Sequence, residues 1–173
     1  MKNLNVLIDE QKIYKRLDEL ANQIENDNGN EELICIGILK GSFPFLWELG
    51  KRMSKTNINF EFMQISSYGS STETSGKLNI IKDISYDITN KNVLILEDII
   101  DTGTTLNYLK NYLLEKNPKT LKLATLLDKP SRRLVDVDVD YVGFSIEDKF
   151  VVGFGLDFDQ KYRNLPYIAY IED

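Results

Sequence analysis

Residues 93–106 read VLILEDIIDTGTTL. The first four are apolar throughout, as in a strand covered on both faces, and the stretch from Thr105 to Lys116 places Leu106, Leu109, Leu113 and Leu114 on one side of a helix. Between them stand three carboxylates, Glu97, Asp98 and Asp101, and a Thr-Gly-Thr-Thr turn. Strand, glycine turn and helix in that order form the repeating unit of an α/β fold with a mainly parallel sheet. In such sheets ligands bind beyond the carboxyl ends of the strands, where loops meet helix N-termini. That placement explains why an interior strand ends in so much negative charge.

The neighbouring chain repeats the pattern. Ile13, Leu17, Leu20 and Ile24 recur at helical spacing and predict an amphipathic helix closed by residues 27–30, after which ELICIGIL reads as a buried strand. FPFLWELGKRM follows as a packed helix with basic residues at its end, then INFEFMQISS and the short LNIIKDI as strands. NVLIL is the strand of the opening segment, and Asn117-Pro118 ends its helix. TLKLATLL, DVDVDYVGFSI, FVVGFGL and the terminal YIAYI read as further strands. Asp136, Asp138 and Asp140 with Glu147 mimic a calcium loop, but Tyr141 stands where the sharp turn needs glycine. The alternating valines make DVDVD an edge strand with a solvated acidic face.

Composition narrows the chemistry. The chain has 173 residues, 42% of them hydrophobic, and no apolar run approaches the roughly 18 residues that span a bilayer. A cytoplasmic protein without a membrane partner is expected, folded as one domain over residues 1–173. Histidine is absent, so Ser-His, Cys-His and histidine-ligated zinc chemistries are excluded, and the single cysteine, Cys35, lies within an apolar run. A net charge of −6 argues against nucleic acid as the main partner.

Gly103 permits a tight turn, the amides of residues 102–105 can converge on one anion, and Thr102, Thr104 and Thr105 add hydroxyl donors, so this end suits a phosphate. Glu97 and Asp98 cannot bind phosphate directly. Ribose hydroxyls or hydrated Mg²⁺ suit them, which suggests a sugar phosphate, with Asp101 placed as a general base near the anomeric carbon. A capped helix with solvated acids is the plainer alternative. LKGS at 39–42 is a second strand–glycine–helix junction and a candidate for another phosphate, or an ordinary turn. SSYGSSTETSGK is long for a hairpin loop and reads either as a lid or as a surface loop. Lys129, directly after a strand in LLDKPSRR, carries donors only and would select a carbonyl oxygen, though most such lysines are surface residues. Phe150 could stack on a planar base and Arg163 could clamp an anion, with Asp157 nearby; the plain reading of Phe150 is core.

In this order LKGS, SSYG, VLILEDIIDTGTTL, LLDKPSRR and DKFVVGFGLDFDQKYRNLPYI resemble the type I phosphoribosyltransferases, from about residue 5 to the C-terminus. The resemblance implies a central twisted sheet flanked by helices, with a small hood formed by the N- and C-terminal segments. It implies purine salvage: N9 of a 6-oxopurine, hypoxanthine or guanine, attacks C1 of phosphoribosyl diphosphate and releases Mg-bound pyrophosphate. By the same resemblance Glu97 and Asp98 hold ribose or metal, Asp101 is the base near purine N7, and residues 102–105 cradle the 5′-phosphate. Leu39, Lys40, Gly41 and Ser42 receive pyrophosphate across a non-proline cis peptide before Lys40. Lys129 meets the 6-oxo group, Phe150 stacks on the purine, and Val151 offers backbone contacts. Asp157 engages a second Mg²⁺, Arg163 reaches pyrophosphate, and Ser67 and Tyr68 belong to the lid. A homodimer or homotetramer is expected from apolar residues on the first helices. Two rivals stay open: a non-catalytic RNA-binding regulator on the same fold, disfavoured by the acidic composition, and a transferase for pyrimidines or 6-aminopurines, disfavoured by Lys129 and Phe150.

Overall fold

A computed structural model describes residues 3–66 and 79–172. In chain order the elements are β1 (Leu4–Ile8), α1 (Glu10–Asn28), β2 (Leu33–Leu39), α2 (Phe43–Arg52), β3 (Ile58–Ser66), β4 (Asn79–Lys82), β5 (Asn92–Ile100), α3 (Thr104–Leu114), β6 (Thr120–Asp128), β7 (Tyr141–Ser145), β8 (Val151–Val152) and β9 (Ile168–Ile171). Six strands form a sheet in the order β4-β3-β2-β5-β6-β7, parallel except for β4. The remaining three, β1-β9-β8, form an antiparallel hood from the two ends of the chain.

The apolar strands are covered on both faces. Leu33 and Cys35 of β2 and Leu94 and Leu96 of β5 pack with Leu17, Leu20, Phe45 and Leu49 of α1 and α2. Ile34 and Ile36, with Val93 and Ile95, pack instead with Leu106, Leu109 and Leu113 of α3. Burial pushes the Cys35 thiol up to about 12, which leaves it a small apolar filler rather than a nucleophile. Asp9 caps α1 by accepting from Lys12 N at 2.8 Å, and the helix closes at Gly29, whose N–H donates to Glu25 O.

Strand order fixes where a ligand can sit. β2 passes to β3 on one side, whereas β5 and β6 lie on the other, so the switch in winding direction falls between β2 and β5. Their carboxyl ends are Leu39 and Ile100, leading into LKGS and DTGTT.

Four expectations need correction. β5 runs on through the acids to Ile100 because residues 97–100 keep pairing with β6, so Glu97 and Asp98 are strand residues. β1 was not anticipated, being a short hood strand with mixed polarity. FVVGFGL is strand only at Val151–Val152: Gly153, Phe154 and Gly155 follow with φ of 98°, 48° and 102°, which no strand accommodates. DVDVD forms no ladder. Val135 N–H donates to Thr102 O, while Asp140 exchanges bonds with Leu123, its amide donating at 3.0 Å and its carboxylate accepting at 2.8 Å. That segment straps the glycine turn to β6, with its acids exposed and Val137 buried as the alternation implies.

Candidate active site

The turn after β5 requires its glycine twice over. Gly103 has φ 84°, and a Cβ there would lie 2.4 Å from Val135 O. It caps α3, which starts at Thr104, and Thr102 and Thr104 bring their hydroxyls within 3.4 Å of each other at the helix entrance. Glu97, Ile100, Asp101, Thr102 and Thr105 line a cleft of about 180 Å³ against this turn. A helix N-terminus with hydroxyls beside it is an anion site.

On the other side of the switch point the Leu39–Lys40 peptide is cis, and Ser42 is fully buried with its hydroxyl unpartnered among the described residues. The two turns touch. A Cβ on Gly41 would sit 1.5 Å from Asp98 Oδ2, so the LKGS backbone lies directly on the acid pair. The hood closes from above: a Cβ on Gly155 would be 2.0 Å from Gly41 O. Arg163 Nη1 donates to Gly155 O at 2.7 Å, Arg163 pairs with Asp157 at 2.7 Å, and Lys40 Nζ donates to Gln160 Oε1 at 3.2 Å.

Glu97 and Asp98 are adjacent, Glu97 buried and Asp98 partly buried. Burial and repulsion from Asp98 hold Glu97 well above the usual carboxylate range; burial raises Asp98 too, with the Arg163 guanidinium pulling against it. Each also accepts a backbone hydrogen bond, Glu97 from Asp98 N at 3.1 Å and Asp98 from Ile99 N at 2.8 Å.

Asp101 stands at the cleft mouth with Arg132 Nε donating to its Oδ1 at 3.1 Å. Arg133 donates to the Asp101 carbonyl at 3.1 Å and also pairs with Asp128. Lys129 is only 7% exposed, against the expectation for an ordinary surface lysine, and its Nζ lies 3.4 Å from Asp148 Oδ1. Phe150 is 55% exposed, so it is not core; its ring and that of Phe158 make a T-shaped pair with centroids 5.6 Å apart. Val151 belongs to the hood's edge strand. Because Ile171 N donates to Phe150 O, the Val151–Tyr170 pair is the non-hydrogen-bonded kind, and Val151 turns its own N–H and C=O away from the sheet. Ser67 and Tyr68 lie outside the described residues.

The sequence model of the family described as phosphoribosyl transferase domain matches residues 5–159. The chain belongs to the phosphoribosyltransferase family. The hypoxanthine-guanine phosphoribosyltransferase of Bacillus subtilis is 44% identical over 96% of this chain and 92% of its own length. That of Aquifex aeolicus is 45% identical over 99% and 97%. A crystal structure of a hypoxanthine-guanine phosphoribosyltransferase from Bacillus anthracis superposes with a TM-score of 0.94 at 47% identity, covering 99% of this chain and all of that one. The α/β sheet with its hood is thus the fold of this phosphoribosyltransferase family.

Phosphoribosyltransferase chemistry at an anionic sugar invites a magnesium ion, which is commonly held by one or two carboxylates together with phosphate oxygens and water. The residues fit that manner of binding. Glu97 and Asp98 are neighbouring carboxylates that burial raises, whereas Asp157 is engaged by Arg163. Among the described residues no cluster of three or more possible ligands gathers, so an ion here would complete its shell from substrate and water. No helix among them is long and apolar enough to cross a membrane.

Sequence reasoning missed Arg132, Arg133, Asp148 and Gln160. The two arginines stand in the quoted LLDKPSRR, and their spacing from Lys129 was available but carried no sign of what they pair with.

Proposed function

We propose that this phosphoribosyltransferase is a cytoplasmic purine-salvage enzyme. It joins phosphoribosyl diphosphate to N9 of hypoxanthine or guanine, giving a nucleoside monophosphate and pyrophosphate, with Mg²⁺ as cofactor. The observation carrying this reading is the meeting of two phosphate-type turns over the Glu97–Asp98 pair, beside a buried lysine and an exposed aromatic ring.

The residues divide the work by chemistry. The amides of residues 102–105 and the threonine hydroxyls hold the 5′-phosphate, and Leu39 to Ser42 with Arg163 hold the diphosphate. Glu97 and Asp98 accept from the ribose hydroxyls or hold the ion, with Asp157 as a ligand to a second one. Bound magnesium supplies neutralising charge for the departing pyrophosphate. Lys129 donates to the 6-oxo group, Phe150 covers the ring, and the outward N–H and C=O of Val151 complement the purine edge. Asp101 takes the proton near N7 once Arg132 yields it. The reaction so proposed has a transition state that resembles a ribosyl oxocarbenium ion, from which water must be kept. The whole chain serves as one catalytic domain. Phe43 and Trp47, 53% and 49% exposed and one turn apart on α2, supply an apolar face for a homodimer or homotetramer.

The direct test supplies Mg²⁺ and phosphoribosyl diphosphate with hypoxanthine, guanine, xanthine, adenine or uracil and follows nucleotide formation. Turnover of 6-oxopurines alone is expected. Turnover of adenine or uracil in their place would overturn the reading of Lys129, and inertness towards every base would overturn the enzyme.

A further inference from the structure

Asp148 is a half-exposed acid in the loop between β7 and β8, and it faces two cations at once. Its Oδ1 lies 3.4 Å from Lys129 Nζ and its Oδ2 lies 3.6 Å from Arg132 Nη1, while Arg132 Nε donates to Asp101 at 3.1 Å. The four side chains therefore alternate in charge along one line, Asp101, Arg132, Asp148, Lys129, from the cleft mouth to the buried lysine.

Solvent treats the members of that line differently. The side chains of Arg132 and Asp148 are each 50% exposed, whereas that of Lys129 is 9% exposed. An exposed ion pair is worth little, but a buried ammonium depends on the anion beside it for both charge balance and direction. Asp148 is the only ion-pair partner of Lys129 among the described residues. The loop that carries it is itself tied down: Ile146 N donates to Asp128 O, next to Lys129, and Lys149 N donates to Glu147 O across Asp148. Two residues on stands Phe150. One short loop thus fixes both the anion that aims the lysine and the ring proposed to cover the base.

We propose that Asp148 is a positioning residue for base selection: it holds the Lys129 ammonium towards the 6-oxo group without touching the purine. Arg132 shares the same carboxylate and couples that end of the site to Asp101. This rests on the proposed contact of Lys129 with the 6-oxo group. A lysine presents three donors and no acceptor, so a well-aimed one rewards an oxygen at C6 and leaves an amino group unpaired. A lysine that has lost its anion retains the chemistry but not the aim.

The test compares wild type with Asp148→Ala, Asp148→Glu and, as a solvated control in the same loop, Glu147→Gln, at saturating Mg²⁺. Asp148→Ala is expected to raise the KM for hypoxanthine about tenfold, the scale of one lost hydrogen bond to a charged group. The KM for phosphoribosyl diphosphate and the melting temperature should stay near wild type, and the preference for hypoxanthine over adenine should shrink. Asp148→Glu should recover most of the lost discrimination, and Glu147→Gln should change nothing. An Asp148→Ala enzyme with wild-type KM for hypoxanthine, or with both KM values raised alike, overturns the positioning role while leaving the 6-oxopurine reading intact. A wild type that ignores 6-oxopurines overturns both.

Discussion

At the amino end of the central sheet, where β2, β5, β6 and β7 begin, Asp27, Glu31, Asn92, Lys119, Lys122 and Tyr141 surround a cavity of about 150 Å³. Every acid there has a cation: Lys119 meets Glu31 at 2.6 Å and Lys122 meets Asp27 at 3.3 Å, with the Tyr141 hydroxyl donating to Asp27 at 2.7 Å. The Tyr141 bond lowers Asp27 and the Lys119 bond lowers Glu31. At the carboxyl end, burial raises Glu97 and Asp98 instead. The same residue types are self-satisfied at one end and frustrated at the other. The polar groups of the first cavity are paired, whereas the raised acids and the unpartnered Ser42 hydroxyl mark the other end as the candidate ligand site.

Asp101→Asn breaks the carboxyl end where the chemistry is proposed, and should have the largest effect. Loss of a general base lowers kcat by roughly 10²–10⁴-fold. The side chain is 46% exposed, so the melting temperature should barely move. Single-turnover nucleotide formation beside a thermal melt separates the two, and near wild-type turnover would remove Asp101 from its role.

Glu97→Gln sharpens the contrast because its two effects have opposite signs. Activity should fall by about tenfold or more as a ribose or metal contact weakens. The apo protein should melt higher at neutral pH, because Gln replaces a buried carboxyl that must either take up a proton or carry its charge beside Asp98. Folded Glu97 keeps its proton to higher pH than the unfolded chain does. Its contribution to stability is therefore complete below the ordinary value of 4.5 and is lost as pH rises through the raised value. Asp27 behaves inversely: its contribution is present above 3.8 and disappears as pH falls through the lowered value. Melts of wild type and Glu97→Gln across pH should converge in acid and diverge towards neutrality. Parallel curves would mean that the acid pair is not strained.

Gly103→Ala tests the turn itself. The left-handed φ and the 2.4 Å approach to Val135 O should cost about 1–3 kcal/mol, or roughly 2–4 °C of melting temperature for each kcal/mol at this size. The KM for phosphoribosyl diphosphate should rise as the turn shifts. An unchanged melt would show that the strap over residues 135–140 yields freely.

The strand–glycine–helix unit was legible because it is local: apolar runs, one glycine and a helical stripe of leucines suffice. Lys129 was legible as a donor following a strand, but its burial was not, since its neighbour Asp148 comes from the loop between β7 and β8. β1 escaped because a strand of five residues with mixed polarity in a three-stranded hood has too little periodicity to read. FVVGFGL misled because hydrophobicity favours a strand, while its glycines turn at positive φ where Gly153 lies against Tyr167 and Gly155 against Gly41, far away in sequence. Arg132 and Asp148 were invisible for a related reason: ion pairs across loops leave no spacing in the chain.

The smallest expected effect lies at the amino end, and it decides whether the two ends are independent. Lys122→Met removes the cation that binds Asp27 at 3.3 Å and the Tyr141 hydroxyl at 2.9 Å while keeping the aliphatic stem. Both charged side chains are more than a third exposed, so solvent screening limits the loss to less than about 1 kcal/mol. Sites this far apart with no shared partner act additively. Kinetic constants should therefore match wild type, and Lys122→Met combined with Glu97→Gln should show the sum of their melting shifts. A changed KM for either substrate would mean that β5 and β6, which run from one end to the other, carry strain between the paired network and the frustrated one. The contrast would then be a coupling, with satisfaction at one end of the sheet helping to maintain the repulsion at the other.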